Sequence, residues 1–160
     1  MGSAVAAVYR DGDSLHVCHA GDVRCYLYSS GALTRVTDDH SVVEHLVRSQ
    51  LLTAENARFH PERHRLEQAV GIPLGFAPSV TFQPLQSDDR VLVCSDGLWG
   101  MLSDSEIAQI LSSEGSMRQI ATVLADRANA AGGHDNITVV LYRHSSGALL
   151  HHHLSKQRDT

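Results

Sequence analysis

Residues 91–100 read VLVCSDGLWG. Val91, Leu92, Val93 and Cys94 form a short continuous apolar run of the kind that a buried strand leaves in sequence. The run ends on Asp96-Gly97, a turn signal, followed by an exposed-looking Leu98-Trp99. A second carboxylate stands in GGHDNITVV, where Asp135 immediately precedes another strand-like run, ITVVLYR at 137–143. Two helical segments joined by a short turn lie between the runs. If the two strands pair antiparallel as neighbours, the end of one and the start of the other share a sheet edge, and Asp96 and Asp135 converge there.

Two carboxylates at one edge repel each other unless something positive lies between them. Oxygen-only donors suit hard cations such as Mg²⁺ or Mn²⁺, and no Cys/His spacing proposes zinc. A bridged pair of such ions, typically about 3.5–4 Å apart, activates water and clamps an in-line displacement at phosphorus. Each acid also has a local reading. Asp-Gly is a common turn signal, and Asp135-Asn136 suits a turn that hydrogen-bonds its own backbone.

The rest of the chain gives these acids their setting. AVAAVYR (4–10), SLHVCHA (14–20) and VRCYLYS (23–29) have strand character, separated by DGDS and GD, and such short connections predict an antiparallel meander. GALTRVTDD leads into a helical region with Ser41 and Glu44 placed as a capping box. Residues 49–71 read as a short helix followed by an irregular surface excursion. SVTFQPL (79–85) and RVLVCS (90–95) are strands joined by a tight turn. Ser103 with Glu106, and Ser116 with Gln119, open two further helices. Leu102 and Ile107 form a staple, and Gly132-Gly133 stops the second helix. The expectation is one domain over 1–145, an α/β chain of α+β type with an antiparallel β-sandwich flanked by helices, and a polar His-rich tail at 146–160.

The chain has 160 residues, 42% of them apolar and 19% charged, with a formal net charge of −5, which suits a globular domain without a basic nucleic-acid surface. No apolar stretch reaches membrane-span length, so neither a nucleic-acid nor a membrane partner is expected. Cys18, Cys25 and Cys94 lie in strand-like runs and read as buried thiols of a reducing, cytoplasmic protein. CHAGDVR (18–24) matches the Cys-x5-Arg spacing of thiolate phosphatases. That chemistry needs a helix N-terminus behind the Arg, however, and CYLYS is strand-like.

Four ordered segments resemble the PPM-type metal-dependent protein serine/threonine phosphatases, the bacterial branch especially. VCSDGLWGMLSDSEI is similar to that family's Ser-Asp-Gly segment, and ANAAGGHDNITVVLY to its closing Gly-x-Asp-Asn-Ile-Thr-Val-Val. HVCHAGDVRCYLY resembles the Val-Gly-Asp-Ser-Arg hairpin, and LTRVTDDHSVVEHLVRSQLLTAENA the Leu-Thr-x-Asp-His segment that leads into the flap.

The resemblance implies that Asp96 and Asp135 are ligands for Mn²⁺ or Mg²⁺. It aligns Asp39 with an acid that serves a third metal, with Asp38 as the off-by-one alternative. His60, His64 and Arg65 in the flap become groups facing substrate, and Asp22 a structural turn residue. The implied activity is hydrolysis of phosphoserine or phosphothreonine proteins by metal-activated water. The chain departs from the family's pattern in two ways: Val23 and Gln68 replace the usual Ser and Arg, and the family's opening segment, with its bridging Asp-Gly-x-Gly-Gly acid, has no counterpart here. The expectation is therefore the C-terminal portion of the fold, with weak or no activity alone and self-association or a missing N-terminal half as partner. The alternative is a non-catalytic phosphatase-like binding or regulatory module.

Overall fold

The structure is a computed structural model that describes residues 2–57, 59–71 and 76–145. The expected tail at 146–160 lies outside the described residues. Strands β1 (Val5–Asp11), β2 (Ser14–Ala20) and β5 (Ser79–Pro84) form one antiparallel sheet in the order β1-β2-β5. Strands β3 (Arg24–Ser29), β4 (Ala32–Arg35), β6 (Arg90–Cys94) and β7 (Val139–Arg143) form a second, in the order β4-β3-β6-β7. The helices are α1 (Val42–Arg48), α2 (Ala54–Ala57), α3 (Asp96–Trp99), α4 (Asp104–Leu111) and α5 (Met117–Ala130).

Side-chain alternation turns these sheets into layers. On β3 and β6, Cys25, Leu27 and Val91 point one way and pack with Leu15 and Val17 of β2, which makes the core between the sheets. On the other face of the same strands, Tyr26, Leu92 and Cys94 pack against Leu98, Leu102, Ile107, Leu111, Ile120, Leu124 and Ala128 from α3, α4 and α5. The order is sheet, sheet, helices, an α+β sandwich as the sequence predicts.

Two local expectations are corrected. The first three strands are not one meander, because the chain changes sheets at Gly21-Asp22-Val23 and β2 takes β5 as its second neighbour. The physical reason is visible in VRCYLYS, which is apolar on both faces and so belongs in the middle layer. QSDD is the tight turn expected between β5 and β6, and it crosses from one sheet to the other; residues 32–35 form a further strand. Leu98, which looked exposed, is fully buried, because 96–99 coil into a helical turn that faces the core.

The capping boxes of α4 and α5 form in full. At α1 only half of the box forms. Ser41 Oγ accepts from the Glu44 N–H, while the Glu44 carboxylate turns away to Arg35 at 2.5 Å.

At one end of the sandwich a clasp joins the sheets. The imidazole of His144, just after β7, is fully buried, with Nε2 2.9 Å from Asp13 Oδ1 in the β1–β2 turn. The His144 N–H donates to Asp89 O and its carbonyl accepts from the Asp88 N–H. The outward face of β1-β2-β5 carries Tyr9, His16 and Phe82 in contact, with Val80 beside them. Phe82 is 61% exposed and Val80 58%.

A candidate metal centre

The segments that carry Asp96 and Asp135 come side by side at one sheet edge. β6 and β7 pair antiparallel with Cys94 opposite Val139, so the segment leaving β6 and the segment entering β7 lie side by side. Ser95 Oγ donates to Asn136 O at 3.1 Å and accepts from the Thr138 N–H at 3.0 Å, tying the two segments together. The backbones then approach so closely that a Cβ on Gly97 would overlap Asn136 O and lie 3.3 Å from Asp135 O, so only glycine fits. Asp96 opens α3, where a carboxylate also favours the exposed N–H groups of the first turn. Asp135 is exposed, and its Oδ1 accepts from the Asn136 N–H at 2.7 Å, the self-bonded turn noted as its local reading.

Both acids line one cleft of about 1030 Å³, together with Asp22, Asp39, Arg24, Trp99 and His64. Asp22 was read from the sequence as a structural turn residue, yet its carboxyl is pushed above the usual carboxylate range, first by burial and then by the charge of Asp96. These two groups therefore sense each other. The clue was in HAGDVR: Asp22 follows an alternating strand at its mouth, the same placement that drew attention to Asp96. Gly21 adopts φ +104° there, and a Cβ on it would come within 2.5 Å of Ala4 Cβ.

Asp39 is buried, and both its oxygens accept from Arg24, from Nε at 2.9 Å and Nη2 at 2.7 Å. Asp38 lies on the exposed side, paired with Arg35 and Arg48. Next to Asp39, His40 stacks on His19 with ring centroids 4.5 Å apart, and its Nδ1 accepts from the Gly21 N–H. Burial and the neighbouring His19 push His40 below its ordinary 6.5. Among the excursion residues, His64 and Arg63 line the cleft. His60 Nδ1 accepts from the Glu62 N–H, and Arg65 pairs with Glu62 at 2.7 Å.

Cys25 and Cys94 are buried, and desolvation pushes both thiols up to about 12, which suits inert core groups. Cys18 lies within β2, and Arg24 is committed to Asp39, so CHAGDVR builds no phosphate cradle.

The donor chemistry of the cleft fits a hard cation. Asp22 and Asp96 are like charges held within each other's field, and a divalent ion relieves that repulsion. Among the described residues no three His, Cys, Asp or Glu side chains are gathered so as to hold a metal ion by themselves. Mg²⁺ is commonly bound through only one or two carboxylates, with water completing the shell.

Fold and cleft together define a class, a two-sheet α+β domain with a carboxylate-floored cleft between strand ends. The sequence profile of Protein phosphatase 2C matches residues 73–137. The serine/threonine phosphatase stp of Listeria welshimeri is 36% identical over 141 residues, which are 88% of this chain and 56% of that protein. The solved S. agalactiae serine/threonine phosphatase superposes with a TM-score of 0.83 at 35% identity, covering 87% of this chain and 58% of that one. The catalytic domain of PstP in complex with two manganese ions gives 0.78 at 33% identity, covering 88% and 58%. Over the part of the domain that it spans, the chain is similar to the PPM-type, or protein phosphatase 2C, family. That part is about half the length of relatives such as stp.

Proposed function

We propose that Asp96 and Asp135, with Asp22 beside them, bind Mn²⁺ or Mg²⁺ with water completing the shell, and that the domain to which this chain contributes hydrolyses phosphoserine and phosphothreonine esters of proteins. The observation that carries the reading is that Asp22, Asp96 and Asp135, which leave different strand ends, line one cleft. The names of the relatives support the reaction class. A divalent ion bound there supplies Lewis acidity toward a phosphoryl oxygen and lowers the pKa of water.

The chain's own residues do the rest. The three carboxylates bind and orient. Asp39, expected from the sequence as a third-metal ligand, is retained as the acid that fixes Arg24 beside them. His64, with Arg63, is proposed to meet the substrate phosphate at the cleft wall, and His60 and Arg65 the flanking polypeptide. The setting is a cytoplasmic one.

Few carboxylates hold a dinuclear centre weakly, so slow turnover or none is expected from this chain by itself. The test is manganese-dependent hydrolysis of p-nitrophenyl phosphate and of a phosphothreonine peptide. EDTA and Asp96→Asn are expected to abolish whatever turnover the chain shows. Turnover indifferent to both would overturn the assignment.

A second reading, a non-catalytic phosphatase-like binding module, is favoured by one observation, the absence of a three-ligand cluster among the described residues. Phosphopeptide binding by the chain, with no turnover even at saturating Mn²⁺, distinguishes it.

A further inference from the structure

Trp99 and Arg24 form an interlocked pair on the cleft wall. The Arg24 guanidinium lies over the Trp99 ring, 3.7 Å from its centroid. Its fork is filled by Asp39, and its Nη1 donates to Tyr26 Oη at 3.1 Å, which donates in turn to Asp104 Oδ1 at 3.2 Å. The Trp99 indole N–H donates to the backbone carbonyl of Asp22 at 3.0 Å.

α3 is a single turn with Asp96 at its first position and Trp99 at its last, an i, i+3 pair on one helical face. One turn of helix thus carries the Asp96 carboxylate covalently and grips the Asp22 backbone through Trp99. Arg24, two residues after Asp22, is held against the same indole. Among the described residues no side chain donates a hydrogen bond to the Asp22 carboxylate, so its place is set by its backbone.

We propose that Trp99 and Arg24 are positioning residues that brace the Asp22 turn against α3, keeping Asp22 and Asp96 together in the cleft before a cation arrives. The inference rests on the cation reading of the cleft. Like charges move apart when the chain lets them, and the Gly21 backbone bonds to His40 hold the turn on the β2 side only, leaving its α3 side to Trp99. A planar, bidentate, stacked cation is the work of Arg in particular, and Lys does not replace it. The carbonyl of Asp22 needs the indole N–H, and a bare aromatic ring does not supply one.

The test is the affinity for Mn²⁺ by titration calorimetry, with the emission of Trp99, the chain's only tryptophan, as a second signal in the parent protein. Trp99→Phe keeps a ring for Arg24 but loses the donor. It is expected to bind Mn²⁺ about 10- to 100-fold more weakly, the range usual for residues that orient metal ligands. Its metal-free unfolding temperature is expected to stay at the parent's, while the rise in that temperature on adding Mn²⁺ is lost. A merely structural role would move the metal-free temperature instead.

Equal Mn²⁺ affinity in Trp99→Phe and parent overturns the brace and leaves the cation site standing. Should Trp99→Phe fail to fold, Arg24→Lys carries the test in the same way: tenfold weaker binding supports the brace and parental binding overturns it. No Mn²⁺ uptake by the parent chain removes the cation reading, and the brace with it.

Discussion

Asp22 lies within the electrostatic reach of Asp96, and its carboxyl is held above the ordinary 3.8. A carboxyl with a raised folded pKa keeps its proton more firmly when folded than when unfolded. Its contribution to stability is therefore complete below about 3.8 and is lost as the pH rises through its folded value. Above about 3.8, where the unfolded chain gives up this proton more readily, the acid at position 22 costs the metal-free chain stability. Asp22→Asn is accordingly expected to raise the urea midpoint of the metal-free chain at pH 7, with the gain shrinking towards pH 4, and to weaken Mn²⁺ binding. Urea titrations at the two pH values, with calorimetry, check both halves. At this scale the sequence disclosed Asp96 and Asp135, because each sits at the end of a recognisable strand. It concealed Asp22, since Gly-Asp is an ordinary turn and the burial that gives the acid meaning comes from residues far along the chain. Trp99 was hidden for the same reason, its partners being Arg24 and the carbonyl of Asp22.

The helices show which elements local chemistry fixes. Ser103-Glu106 and Ser116-Gln119 complete their capping boxes because every partner lies within one turn. Ser41-Glu44 completes half, because Arg35 from β4 competes for the carboxylate. Ser116→Ala is expected to destabilise the chain by about 1 kcal/mol, read from the urea midpoint, since it leaves the Gln119 N–H without its acceptor. Strand existence was as legible as helix existence, with boundaries within a residue or two for β1, β2, β3, β5, β6 and β7. Strand partnership was not. Which sheet β3 or β5 joins depends on surfaces built by distant segments, and a short turn such as QSDD reads the same whether it closes a hairpin or crosses between sheets.

Across the whole molecule, the middle sheet is covered on both faces, by the helices and by the other sheet. The outward face of β1-β2-β5 presents Tyr9, Phe82 and Val80 to solvent, a patch of the kind that draws a partner. Self-association is the expected outcome, seen as a concentration-dependent shift in sedimentation velocity. A single monomeric species at micromolar concentration would count against it. Replacing Phe82 by Ser is expected to weaken the association. The layer order follows from residues apolar on two faces as against one, and so was present in the sequence. An uncovered face was expected only through the resemblance, from the opening segment without a counterpart here, since alternation says which side is apolar and not what lies against it.

The His144–Asp13 contact lies beyond the far end of β7, whereas the acids gather where β6 ends and β7 begins. The two sheets are thus riveted at one end and meet at the cleft at the other, as in a clothes peg. Asp22 follows the end of β2 and Asp96 the end of β6, so the jaws carry one acid from each sheet. The rivet thus ties the sheets together at the end remote from both acids.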